Sequence, residues 1–205
     1  MYSLAVNNLS KRFGSRKVLT DVNFTLKTGE SIAITGRNGS GKTTLLMTLL
    51  ATHHPSKGTV DYLRDGARLD GDQVRGLTSL VGPYLSLYDQ LTAEENLRFF
   101  ATVSGVHITG RQVNDLLKRV GLEGRGDDLV RTYSSGMKQR LKYAVAVLKE
   151  PAYLFLDEPG SNLDVAGKKI VADFIEEYRA RSIIIIATNE HEEYTLARAV
   201  YSLSE

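Results

Sequence analysis

Residues 36–43 read GRNGSGKT, with a short apolar run, SIAIT, before them and an amphipathic one, TLLMTLLAT, after. The pattern G-x-x-x-x-G-K-[ST] at a strand-to-helix junction leaves a chain few options. Glycines at such a turn let backbone N–H groups close around an anion, and the helix N-terminus adds its dipole. Lys42 is placed to reach the β and γ oxygens of a nucleoside triphosphate, and the Thr43 hydroxyl to ligate Mg²⁺. Gly36, Asn38, Gly39, Ser40, Gly41, Lys42, Thr43 and Thr44 are therefore candidate nucleotide-binding residues. The alternative is a flexible turn with no ligand, but a chance match in a chain this size is on the order of one in a hundred.

The flanking sequence fits an α/β layout. SLAVNNLSKRFGSRKVLTDVNFTLKTGE alternates apolar and polar residues around Gly14 and Gly29, as half-buried antiparallel strands do. The helix behind the glycine loop is expected to end near Thr52, and a strand is expected at 59–63. LTAEENLRFFATVSG opens on a capping box from Thr92 to Glu95, and ITGRQVNDLLKRVGLEG closes on Gly121 as a C-cap. PAYLFLDEP and SIIIIATNE are continuous apolar runs of strand length, suited to burial on both faces of a parallel sheet, with a helix over 165–181 between them. The expected organisation is a single domain, 1–205. Residues 1–83 and 149–205 would form an α/β core with a β subdomain, and about 84–148 a helical subdomain.

Composition narrows the setting. A net charge of +2 gives no reason to expect a nucleic-acid partner, and the absence of cysteine excludes disulfides and thiolate metal sites. The longest apolar run, IIIIA, is far short of the ~20 residues a membrane helix needs, so no direct membrane insertion is expected. MYSLAVNNLSKRF lacks the apolar core and cleavage site of a signal peptide, which points to a cytoplasmic chain.

A phosphate-binding loop needs an acidic partner at the end of a neighbouring buried strand, and YLFLDE supplies one. Asp157 is suited to hold the hydration shell of Mg²⁺, and Glu158 to polarise an attacking water. In isolation such a pair often only caps a strand; the loop at 36–43 gives it a purpose. A further stretch, YSSGMKQR, sets Ser134, Ser135 and Gly136 ahead of a helix read at 137–149. Free N–H groups, hydroxyls and the helix dipole there could receive an anion, or Ser134 could be an ordinary N-cap.

In their order along the chain these motifs resemble the ATP-binding-cassette (ABC) family of transport ATPases. GRNGSGKT corresponds to its Walker A, YSSGMKQR to its signature, YLFLDE to its Walker B, and SNLD (161–164), with Asp164, to its D-loop. The resemblance implies a P-loop NTPase (RecA-like) α/β core with an N-terminal antiparallel β subdomain and an inserted α-helical subdomain carrying the signature. It implies ATP and Mg²⁺ as ligands and Glu158, Lys42 and the residue at 189 as catalytic groups. Phe13 falls where the family stacks an aromatic on adenine, or else simply packs on its strands. It also implies two partners. A second ATPase copy, in a homodimer rather than a heterodimer, would bring its signature to each ATP. A separate transmembrane permease would hold the chain peripherally on the cytoplasmic face, docking near 84–91. The motif spelling is similar to the ABC-2 and cytochrome c maturation haem exporter ATPase group, and recurs in exporters of drugs, lipids and polysaccharides. The chain ends about one strand past Asn189, in AVYSLSE, so no C-terminal regulatory domain is expected.

Two family positions differ. The glutamine expected at the junction to the helical segment falls at Tyr84, and Gln90 lies six residues on, read as a surface residue. The histidine expected after SIIIIAT is Asn189, which can donate a hydrogen bond but cannot carry a proton charge. His191 is read as a solvated helix residue, and His53 and His54 as C-terminal residues of the Walker A helix without a chemical role. Slow hydrolysis is expected. The rival is a subunit that switches on ATP binding with negligible hydrolysis, which intact Glu158 argues against. A nucleic-acid ABC ATPase would carry two cassettes or a long coiled coil, and a P-loop kinase would leave the signature unexplained.

Overall fold

The computed structural model describes residues 1–203, so the last two residues of AVYSLSE lie outside the described residues. Alternating apolar residues make Tyr2–Phe13 (β1) and Arg16–Lys27 (β2) an antiparallel hairpin, with Gly14 at the turn in the left-handed region that suits it. Its pairing slips between Val6 and Leu9, where Asn8 has φ 49. Next come Ser31–Thr35 (β3) and Lys42–Leu49 (α1), a helix that stops three residues short of the expected Thr52. Lys57–Arg64 (β4) then pairs with β1.

Three elements between 67 and 81 escaped the sequence reading: Ala67–Arg68 (β5), Gly71–Leu77 (α2) and Thr78–Val81 (β6). Each is too short to display a hydrophobic period, although the Asp70–Gln73 capping box was a usable start signal. Ala93–Val103 (α3) carries the expected Thr92–Glu95 box. Gly110–Arg119 (α4) ends on Val120, with Gly121 behind it at φ +66. A 3-10 turn at Val130–Thr132 leads to Ser135–Ala146 (α5), which begins two residues before the expected 137 and stops three before 149. Tyr153–Asp157 (β7), Val165–Arg179 (α6), Ile183–Ala187 (β8), His191–Tyr194 (α7) and Ala199–Ser202 (β9) complete the described chain.

The strands form two sheets. β2-β1-β4-β5 is antiparallel, and β6-β7-β8-β3-β9 is parallel in all its pairings. All ten residues of β7 and β8 are buried, and alternation divides them between two cores. Leu154, Leu156, Ile184 and Ile186 face α3, α5 and α6, while Tyr153, Phe155, Ile183 and Ile185 face α1 and the antiparallel sheet. Burying each aliphatic side chain contributes about 1.5–3 kcal/mol, so these strands form a firm base for the loops at their C-terminal ends. Tyr153 joins the sheets through its hydroxyl, 3.1 Å from Ser3 O and 3.0 Å from Leu63 O. Because β8 lies between β3 and β7, the segments leaving Thr35, Asp157 and Ala187 emerge side by side on one edge.

Candidate nucleotide-binding site

The loop between β3 and α1 closes in a way that requires its glycines. Gly36 has φ +148, and a methyl group there would lie 2.5 Å from Ser40 Oγ. Gly41 has φ +103, and a methyl there would meet Val18 of β2 at 2.9 Å. Lys42 is buried and folds back over the loop, donating to the carbonyls of Gly36 at 2.8 Å and Arg37 at 3.3 Å. Ser40 Oγ is buried with no hydrogen-bond partner among the described residues. An unpaired buried hydroxyl costs about 1–3 kcal/mol, so this loop is built to receive a polar group, and a phosphate oxygen fits that need.

Thr43, in the first turn of α1, donates through Oγ1 to Asp157 Oδ2 across 3.1 Å. Asp157 ends β7 and is buried; burial pushes its carboxyl up, while the Thr43 hydroxyl and the Lys42 charge pull it down. A hydroxyl and a carboxylate this close form a hard oxygen pair, the donor type Mg²⁺ prefers, so Thr43 and Asp157 fit that ion. Glu158, next along, sits at φ 55 and donates its N–H to Ala187 O at 2.9 Å. A left-handed glutamate is uncommon and costs about 1 kcal/mol or more. Its carboxyl is held above the usual range by burial, with Lys42 opposing and Glu193, Asp157 and Glu190 adding to the rise.

Gly41, Lys42, Thr43 and Glu158 share a cleft of about 470 Å³ with Phe13, Asn38, Gly39 and Thr44, and Asp157 is tied to it through Thr43. Phe13 is 47% exposed at its rim, with the Lys11 ammonium 4.8 Å from its ring and His53 edge-on at 5.6 Å. His53 thus buttresses an aromatic residue and does not lie in α1. Arg16 and Val18 also line the cleft, and sequence reasoning missed them. The available signal was hairpin register, since Arg16 pairs directly with Phe13 across the Gly14 turn. A larger cavity, about 540 Å³, lies behind α1 and includes none of residues 36–43.

Asn189, beyond β8, donates through Nδ2 to Asn38 Oδ1 at 3.2 Å, so it reaches the phosphate loop. His191 and Gln90 are exposed, and Tyr84 is 63% exposed. The serine-glycine stretch stands elsewhere. Ser134 caps α5 by accepting from Met137 N at 3.2 Å, and Ser135 opens on a separate cleft with Pro83, Lys142 and Asn162. Gly136 packs beneath Asn162. Asp164 caps α6, its Oδ1 accepting from Gly167 N at 2.8 Å, and does not line the Lys42 cleft. Within one chain, the phosphate loop and the α5 tip therefore line different clefts.

A phosphate loop on a parallel strand, an acidic pair ending the next strand but one, and a capped serine-glycine helix define a class. Residues 19–161 match the family described as ABC transporter, and the chain belongs to that family, as an ATP-binding ATPase. It is 32% identical to the ABC transporter ATP-binding protein NatA of Bacillus subtilis (strain 168), over 93% of this chain and 80% of that protein. The bacitracin transport ATP-binding protein BcrA of Bacillus licheniformis is 32% identical over 92% of this chain, which spans 61% of BcrA. Six curated relatives, BcrA among them, are matched over only 56–62% of their length. Among solved structures, the cbiO1 subunit from Clostridium perfringens superposes with a TM-score of 0.81 at 26% identity, covering 98% of this chain and 84% of that one. Among the described residues no helix is long and apolar enough to cross a membrane.

Proposed function

We propose that this chain binds Mg-ATP between its own phosphate loop and the α5 tip of a second copy, hydrolyses it, and drives a separate membrane permease. The observation that carries this proposal is the division of groups between clefts. Lys42, Thr43 and Glu158 line one cleft with Phe13, and Ser135 opens on another, a division that supports a site completed between two copies. The α5 tip is capped by Ser134 and points free N–H groups outward, and a triphosphate held by a partner would satisfy them.

In the assembled site Phe13 stacks on the base, the Gly36–Thr44 loop and Lys42 hold the phosphates, and Thr43 and Asp157 hold Mg²⁺. The ion supplies charge neutralisation on the phosphate oxygens. Glu158 takes the proton from the water that attacks the γ-phosphorus; the bond to the bridging oxygen breaks, and ADP and phosphate leave. Ser134, Ser135, Gly136 and Asp164 act on the nucleotide of the partner copy, in a homodimer. Because the γ-phosphate is shared, ATP favours the closed pair and its loss favours opening, a population shift with the ligand as driver. Asn189 offers an uncharged amide, so turnover in the isolated chain is slow.

The chain works on the cytoplasmic face of a membrane, held there by the permease. In Clostridium perfringens, cbiO1 is part of the ABC transporter complex cbiONQ, and that membership supports attachment to a permease. Names of similar proteins span Nod factor export, daunorubicin resistance and bacitracin transport at 30–32% identity, which supports leaving cargo choice to the permease. The test is phosphate release from Mg-ATP together with the oligomeric state in ATP and in ADP. A chain that releases no phosphate above background, or that stays monomeric in ATP with Glu158→Gln, overturns the proposal.

A further inference from the structure

Two lysines on one face of α5 grip the loop that follows β6. Lys138 pairs with Asp89 at 2.6 Å, an exposed contact of small worth. Lys142, one turn on, differs. It is half-buried, and its Nζ donates to Gly82 O at 3.1 Å, beside Pro83 and the buried Gln139. Among the described residues no carboxylate pairs with it, and burial pulls its basicity down. Holding an ammonium there costs solvation, and the carbonyl gives back one charge-assisted bond.

The carbonyl it holds is closely placed. Gly82 directly follows β6, and a methyl group on it would stand 3.1 Å from Asp157 Cβ. The other end of α5, two turns from Lys142, is the Ser134 cap. One amine thus links the helix carrying the serine-glycine tip to the backbone that packs against Asp157.

We infer that Lys142 is a positioning residue, which makes the α5 tip and the Asp157 end of the parallel sheet move as one body. The inference rests on the nucleotide reading of the site given above. A lysine serving only as packing would leave the Gly82 backbone where it is when replaced by an apolar chain of similar length. As a tether, its loss frees residues 82–88 and loosens the backing of Asp157.

The experiment compares wild type with Lys142→Met, Lys142→Arg and Lys138→Met in the full chain. Hydrogen exchange of residues 82–88, the thermal midpoint without nucleotide, and the Kd for a fluorescent ATP analogue in Mg²⁺ and in EDTA are measured. The expected result is at least 5-fold faster exchange at 82–88 in Lys142→Met and an unchanged Kd in EDTA. Most of the tightening that Mg²⁺ gives should be lost, with part of each effect recovered in Lys142→Arg and neither seen in Lys138→Met. Unchanged exchange and unchanged Mg²⁺ tightening in folded Lys142→Met overturn the inference. Should Lys142→Met not fold, Lys142→Arg decides: exchange at 82–88 faster than wild type, with part of the Mg²⁺ tightening lost, is the expected result, and wild-type behaviour in both overturns the inference. A wild-type chain that binds no ATP fails a different statement, the site reading itself.

Discussion

Asn189 Nδ2 donates to Asn38 Oδ1 at 3.2 Å, which ties the segment beyond β8 to the loop that would hold phosphate. An amide at this place can hydrogen-bond a γ-phosphate but brings no charge. Asn189→His is therefore expected to speed phosphate release by about 10-fold, the worth of one charge-assisted bond near 1.4 kcal/mol. Steady-state phosphate release measures it; no change or a loss would mean that Asn189 does not face the nucleotide.

Glu158 is the candidate base, and Asp157 beside it the candidate metal ligand. Glu158→Gln should lower phosphate release by about 10²–10⁴-fold while ATP binding survives. Asp157→Asn should instead make the ATP Kd nearly independent of Mg²⁺. Equal turnover in wild type and Glu158→Gln would remove Glu158 from the chemistry.

Phe13 is half-exposed at the cleft rim, held by Lys11 and His53. Stacking a base on an aromatic ring is worth about 1–3 kcal/mol, so Phe13→Ala should weaken ATP binding by about 5- to 150-fold. Phe13→Trp should keep it. Titration with a fluorescent ATP analogue distinguishes stacking from packing, since a packing role would lower the thermal midpoint and leave Kd nearly unchanged.

Glu193 gives a pH prediction. It is buried in α7, and its Oε1 accepts from Gly160 N at 2.6 Å. Burial holds its carboxyl above the ordinary range, against smaller opposing pulls from Thr188 and Gly160. The folded chain thus binds this proton more tightly than the unfolded one. Its contribution is favourable below the ordinary carboxylate range and is lost as pH rises through the raised folded value. Glu193→Gln keeps an acceptor for Gly160 and carries no charge. Its thermal midpoint should exceed wild type at neutral pH, with the gap closing as pH falls into the carboxylate range. A gap that widens on acidification refutes this.

Much of the fold was legible because its signals are local. GRNGSGKT needs no partner to be recognised, and the runs before Asp157 and in IIIIA have the length and continuity that suit buried strands. The capping boxes at Thr92 and Asp70 are equally local, though only the first was used. What stayed hidden depends on contacts between distant segments. The role of His53 against Phe13 follows from the way the hairpin folds onto the end of α1, and that of Lys142 from β6, a four-residue strand with no period to read. The Glu193–Gly160 bond joins residues 33 apart, which no spacing rule connects.

The placement of the Lys42 loop and the Ser134 cap on different clefts has a genetic corollary. In the proposed pair, a chain crippled at Lys42 and another crippled at Ser134 are each inert with their own kind. Mixed together, they gather both lesions into one chamber and leave the other whole. Two dead alleles should therefore complement each other in one cell, whereas two lesions in the same cleft of the chain should not.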